Sequence, residues 1–417
     1  MVNADIEQMK EQLKQKGLLG KTFRLHLEKV PRVVGFPIQN AEPGEIIPIM
    51  VTASLTSEHP DFSMFAEQLW DTFASRVPIF SPMVCNYFAT FHADESADLY
   101  LNAPFTGEMM SKRDMGAGQV VKRSDIADVR RLVFPDVEIS ETDNVVCCFK
   151  VTWDFGLYFD FSIVDLSRDR RVVDDVWLRL GALYRSLLFA EAYRAIQSEE
   201  QSQALLADGW FPFIEILGGE FEELSRIYKG GFHVEEQVNK VLDRFGKDRI
   251  AKISNKWWKN TLFETKKLML RAGLESFLRG DAEGYVCCIK TLLTEANGIM
   301  TLSYFQDTGT GDARTPKLIE HIGGKGETRT GVRDSLFFPA YFRRYLTDVV
   351  FPRFDLQTGK IGLSRHTASH GVAKPEDYTR AHALQTILIL DQIYFYHGHP
   401  TAPATGNASG AMPAENA

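Results

Sequence analysis

The sequence predicts an α+β protein, with a mixed, β-containing N-terminal domain followed by a mostly α-helical C-terminal half that closes as a helical bundle. Three observations carry the prediction. Runs that alternate, or are dense in aromatic and β-branched residues, fall before about residue 165. From Val172 onward the apolar residues recur at helical spacing. At 417 residues the chain is too long for one compact core, so two or three domains are expected. The expected divisions are 1–165 for the mixed domain, 170–280 for a helical middle region, 281–398 for the bundle and 399–417 for a disordered tail.

Thr22–Leu27 (TFRLHL) alternates as a half-buried strand does. Glu45–Leu55 is strand-like, and Pro48, which cannot donate to a ladder, confines it to an edge or a bulge. Phe65, Leu69 and Phe73 stand at i, i+4 and i+8 and predict a helix over Phe62–Phe73. Val145–Asp154 and Gly156–Val164, split by Phe155-Gly156, predict a strand pair. Helical spacing then covers Val172–Gln197, Glu199–Leu206, Phe221–Tyr228, Val234–Phe245 and Asn260–Phe277. Tyr285–Tyr304 is the clearest helix, with Cys288, Leu292, Ala296 and Ile299 on one face. Gln306–Asp334, rich in Gly and Thr, predicts an exposed, mobile connection with at most one short helix at Lys317–His321. A helix resumes over Leu336–Val350, and a short one surrounds SRHTASHG. The last opens on Pro375, Glu376 and Asp377, where a fixed φ and negative charge suit a helix start, and runs to about Tyr396.

A net charge of −8 argues against a general polyanion binder, since nucleic-acid affinity rests on neutralising phosphates. Any such site must be local, and Gly311–His370 does carry ten Lys/Arg against six Asp/Glu. The charged N-terminus is not that of a signal peptide. No apolar run approaches the ~20 residues needed to span a bilayer, so no membrane association is expected. The five cysteines, Cys85, Cys147-Cys148 and Cys287-Cys288, lack CxxC spacing and are odd in number. They predict buried thiols in a reducing, cytoplasmic setting.

Several motifs compete for a function. GGKGET (Gly323–Thr328) lacks the GK[ST] of a phosphate loop, and no G-x-G-x-x-G joins a strand to a helix. Trp257-Trp258, among Asn255, Lys256 and Lys259, could stack on bases. The simpler expectation is one buried and one half-exposed ring at a helix start. His366 and His370 would share a helix face, but Thr367 stands where HExxH needs an acid, and no third ligand appears. Neither metal nor cofactor is expected. His26, His59 and His92 stand in no catalytic or metal spacing.

What remains is Arg365-His366-Thr367-Ala368-Ser369-His370-Gly371, in a short helix between two apolar ones and followed by YTRAHALQTILILDQIYFY. This segment resembles the HEPN superfamily, whose Arg-x4-6-His motif, often N-R-H-x-x-x-H-G, precedes the final helices of a bundle. Tyr378, Ala383 and Ile387 match a terminal Y-x-x-x-x-A-x-x-x-I/L pattern, and YVCCIKTLLTEANGIM is similar to the superfamily's leading helix. The resemblance covers roughly residues 255–397. Ser364 replaces the usual Asn, and Asn297 stands where an acid is usual; Glu295, two residues earlier, is the candidate substitute.

The residues suit that chemistry by themselves. Attack by the RNA's own 2′-OH needs proton transfer, which His performs near neutrality, and a cation for the charge developing on phosphorus, which Arg supplies. Arg365 and His370 are the expected catalytic pair, with His366, Asn297, Glu295 and Ser364 as candidate supporting residues. Five residues on an ideal helix place the pair about 140° apart, so they flank a phosphate or meet counterparts from a second subunit. The resemblance implies the second arrangement: a homodimeric, metal-independent endoribonuclease on single-stranded RNA, of the kind that serves as a toxin or antiviral effector. Phe337, Phe338, Phe342 and Tyr345 offer aromatic surface for the dimer contact. The region before about residue 170, or a regulatory protein partner, is expected to restrain the nuclease. The alternative from another class is a non-catalytic interaction or nucleotide-binding protein.

Overall fold

The computed structural model describes residues 23–30, 42–45, 54–74, 86–152, 155–160, 173–332, 334–352, 367–368 and 373–398. The chain groups into two compact units, Met1–Arg194 and Ala195–Ala417, and the α+β class holds, with the strands in the first and helices filling the second. No helix among the described residues is long and apolar enough to cross a membrane.

The first unit contains β1 (Phe23–Leu27), β2 (Ser54–Thr56), α1 (Phe62–Ala74), β3 (Tyr87–Phe91), β4 (Ala97–Leu101), β5 (Thr106–Ser111), β6 (Ile126–Val133), β7 (Asn144–Thr152), β8 (Phe155–Asp160) and α2 (Val173–Leu188). Six strands form one antiparallel sheet in the order β1-β4-β3-β7-β8-β2, while β5 and β6 pair separately. The expected strand pair is β7–β8, and Thr22–Leu27 contains β1. Of the strand expected over 45–55, Ser54 and Leu55 lie in the edge strand β2, and 46–53 fall outside the described residues.

Both faces of this sheet are covered. On one, Phe62, Ala66 and Phe73 of α1 pack with Tyr87, Ala89, Leu99 and Cys148. On the other, Val176, Trp177 and Leu180 of α2 and Leu132 of β6 pack with Phe88, Tyr100, Val145 and Cys147. All five positions of β3 and of β4 are therefore buried, which removes the polar–apolar alternation by which a one-sided strand is recognised. Helix α2 lies so close to β6 that a Cβ on Gly181 would stand 2.5 Å from the Cα of Arg131.

Helix α3 (Ala190–Gln197) leads into the second unit, which continues with α4 (Glu199–Ala207), α5 (Glu220–Gly230), α6 (Val234–Leu242), α7 (Lys247–Trp257), α8 (Thr261–Thr265), α9 (Lys267–Leu278), α10 (Ala282–Thr308), α11 (Thr315–Thr330), α12 (Pro339–Tyr345) and α13 (Arg380–His397). Side-chain oxygens cap several starts: Ser198 accepts from Gln201 N, Asn260 from Leu262 N, and Asp281 from Gly284 N. Helix α13 is buried nearly all round, and its polar residues satisfy irregular backbone. Gln385 donates to Asp208 O, Gln392 accepts from Ile214 N and donates to Phe337 O, and Tyr396 also donates to Phe337 O.

Four expectations are corrected. The segment 306–334 is no loose connection, because α11 occupies 16 residues of it. Its glycines serve close packing: a Cβ on Gly323 would meet the Arg343 side chain at 2.2 Å, and one on Gly326 the Tyr396 ring at 2.8 Å. The helix expected from Leu336 begins at Pro339, since Phe338 takes a left-handed φ of 46°. Pro375–Asp377 form a separate 3-10 turn, and the last helix starts after Thr379, whose side chain accepts from His382 N. Phe337, Phe338, Phe342 and Tyr345 are buried and offer no dimer surface. Phe342 and Tyr345 pack on Phe211, and Phe337 lies flat on Tyr396.

Candidate functional site

Of the motif, Thr367 and Ala368 are described; both are helical and about 3% exposed. Ser364, Arg365, His366 and His370 lie outside the described residues. Ala373 N donates to Thr367 O at 3.2 Å, and from there the chain runs through the 3-10 turn into α13. Helices α10 and α13 lie parallel: Cys288 pairs with Ala383 O, and fifteen residues further on Ser303 meets His397. The approach to α13 thus lies toward the first half of α10, where Lys290 Nζ stands 5.8 Å from the Tyr378 ring centre.

The two candidate supporting residues on α10 differ. Glu295 is buried and pairs with Lys266 Nζ at 3.0 Å, so its carboxylate is committed to the start of α9. Asn297 is half-buried, seven residues beyond Lys290, or about 10 Å along the helix axis.

The tryptophan pair sits at the end of α7, not at a helix start. Trp257 is fully buried, and its indole N–H donates to Asp391 at 2.8 Å. Lys256 joins Asp391 at 2.9 Å and Glu215 at 3.3 Å, which closes this patch to base stacking. Burial pushes the Asp391 carboxyl up to about 6 against the pull of Lys256. Cys147, Cys148 and Cys288 are buried as expected, but Cys287 is exposed, because neighbouring residues on a helix point about 100° apart.

An open cavity of about 430 Å³ is lined by Tyr304, Pro316, Lys317, Glu320 and His321. Beside it Ser303, His321 and Asp307 have the composition of a nucleophile triad but not its wiring. Ser303 Oγ and Asp307 Oδ2 both face His321 Nε2 at 3.2 Å, and Ser303 is only 1% exposed. A base must engage the nucleophile with one nitrogen and its orienting acid with the other. Burial holds His321 below its ordinary value and pushes His397 down to about 3, so neither supplies a cation there.

Sequence reasoning missed a group in the first unit. Strand pairing sets His26 of β1 opposite Asp98 of β4, and the β3–β4 turn brings His92 alongside. His26 Nδ1 lies 2.9 Å from Asp98 Oδ1, and Arg24 donates to Asp98 Oδ2 at 2.9 Å and to Glu138 at 2.6 Å. His92 Nε2 lies 3.2 Å from Asp98 Oδ2, while its Nδ1 lies 2.8 Å from Asp143 Oδ1. Both aspartates are buried. No three of these side chains are arranged to hold a metal ion, as the two nitrogens of His92 turn to different carboxylates. The sequence held one signal: Asp98 is a charge inside the apolar strand ADLYL, which calls for partners.

No protein-family model, curated protein or solved structure matches this chain.

Proposed function

We propose that the chain is a cytoplasmic, metal-independent endoribonuclease with Arg365 and His370 as its catalytic pair. The observation that carries this reading is the burial of Thr367 and Ala368 in a helical turn just before the core helix of a bundle. They are the two residues midway between Arg365 and His370, so the motif is anchored at its centre while its ends are left for chemistry. That setting agrees with the HEPN resemblance of residues 255–397.

In the proposed reaction His370 takes the proton from an RNA 2′-OH. The 2′ oxygen bonds to phosphorus, the bond from phosphorus to the 5′ oxygen breaks, and that oxygen receives a proton. The products are a 2′,3′-cyclic phosphate and a 5′-OH. Arg365 neutralises the charge that builds on the phosphoryl oxygens. A homodimer would pair each motif with its counterpart, and a toxin or antiviral effector role would require the N-terminal region or a partner protein to restrain it. The test is cleavage of mixed RNA by purified protein in EDTA, beside Arg365→Ala and His370→Ala. Each substitution should abolish cleavage while thermal melting stays near wild type. Activity that disappears in EDTA, or that survives both substitutions, overturns the reading.

A further inference from the structure

We propose that His92, Asp98 and Asp143 form a proton-operated clamp in the first unit, closed when the His92 ring carries two protons and opened between β3 and β4 when it loses one. The hydrogen-bond inventory of the three side chains requires it. A neutral imidazole has one N–H and one lone pair, whereas an ionised carboxylate only accepts. His92 presents Nδ1 to Asp143 at 2.8 Å and Nε2 to Asp98 at 3.2 Å, so both contacts hold together only in the imidazolium. His26 has no such requirement: it meets Asp98 through Nδ1, which either charge state can donate.

The surroundings set which contact fails. Asp143 also accepts from Ser140 N at 2.8 Å and sits just before β7. Asp98 is held from β1 by Arg24 and His26, and Glu138 backs Arg24. Asp94, in the β3–β4 turn, adds a further negative charge facing the ring. When the ring gives up a proton, the shorter Nδ1–H contact to Asp143 persists, and the Nε2 lone pair faces the Asp98 carboxylate. That contact becomes repulsive. His92 then stays with β7 and Asp98 with β1, so the parting line falls at the end of the β3–β4 hairpin. Burial works against the charged ring, but Asp143 and Asp98 overcome it and hold His92 above its ordinary value of 6.5. The switch therefore operates on the alkaline side of an ordinary histidine. The same atoms exclude a second acid–base centre at His92, which has no nitrogen left for a substrate.

The experiment is histidine side-chain ¹⁵N NMR on the full chain across pH, with His92 assigned through His92→Gln. Both ring nitrogens should be protonated at pH 6.5, and the proton should leave from Nε2 above that pH. Amide exchange over 92–100, corrected for intrinsic rate, should then rise by about tenfold per pH unit past the transition. Asp143→Asn should move the titration down, because an amide does not stabilise the cation. A glutamine side chain has a single amide nitrogen and does not titrate, so His92→Gln should show the fast exchange at every pH. A ring already neutral at pH 6.5, loss of the proton from Nδ1, or a titration unmoved by Asp143→Asn overturns the clamp. The last arm decides the matter even if His92→Gln fails to fold.

Discussion

Both units bury carboxylates, and they choose different partners for them. In the first, Asp98 and Asp143 are joined through His92, with Arg24 and His26 at the rim. In the second, Asp391, Glu215 and Glu220 are joined through Lys256 and Arg249. Lysine and arginine keep their charge throughout the neutral range, and histidine does not. A buried acid alone therefore says little about pH response. The group holding it decides whether the interior is permanently wired or wired only while a proton is present.

The largest effect is expected at Asp391. Asp391→Ala strands Lys256, which is mostly buried, and the Trp257 N–H, and should cost about 3–5 kcal/mol in chemical denaturation of the second unit. A loss below about 1 kcal/mol would mean that this wiring is dispensable. Gly326→Ala should come next, at about 1–3 kcal/mol, because Tyr396 is fully buried with its hydroxyl tied to Phe337 O and its ring cannot yield.

Titration should separate the two units further. The contribution of His92 is fully present below 6.5 and is lost as pH rises through its raised value in the fold. Asp98 is opposed by burial but held down by Arg24, His26 and His92, so its contribution is present above 3.8 and lost as pH falls through the lowered value. The first unit should therefore melt highest between those limits and lose roughly 1 kcal/mol between pH 6.5 and 8.5, while the second stays level. Parallel melting profiles for the two units would erase the distinction. The smallest effect belongs to Trp258→Ala. Its half-buried ring lies under Lys267 at 5.4 Å, and its loss should shift stability by about 0.5 kcal/mol in the same denaturation experiment.

Legibility followed the number of faces an element buries. Strand β1 showed alternation because Arg24 and His26 face outward, and α1 showed a stripe because one side is solvated. Strands β3 and β4, covered on both sides, displayed no period, and β5 and β6 went unanticipated with them. Helix α11 was hidden by glycines that resemble breakers in a sequence and act as contact points in the fold. The aromatics around Phe342 were visible, but nothing local says that Phe211, over a hundred residues away, will cover them. As for sites, Arg365 and His370 are five apart and can be found by spacing. His26, Asp98 and Asp143 are assembled by strand register, which no local pattern encodes.

The central strand β7 carries a built-in pair of reporters. Cys147 and Cys148 are adjacent in it, and successive side chains of a strand point to opposite faces. Cys148 therefore sits in the layer beneath α1 and Cys147 in the layer beneath α2. Burial pushes the Cys147 thiol well above its ordinary value, which keeps it unreactive while its layer is shut. Native-state alkylation followed by mass spectrometry would read both layers from a single peptide. Mono-alkylated species, sorted by which sulfur is modified, would tell whether α1 or α2 lifts first, in an unmodified chain that needs no introduced probe.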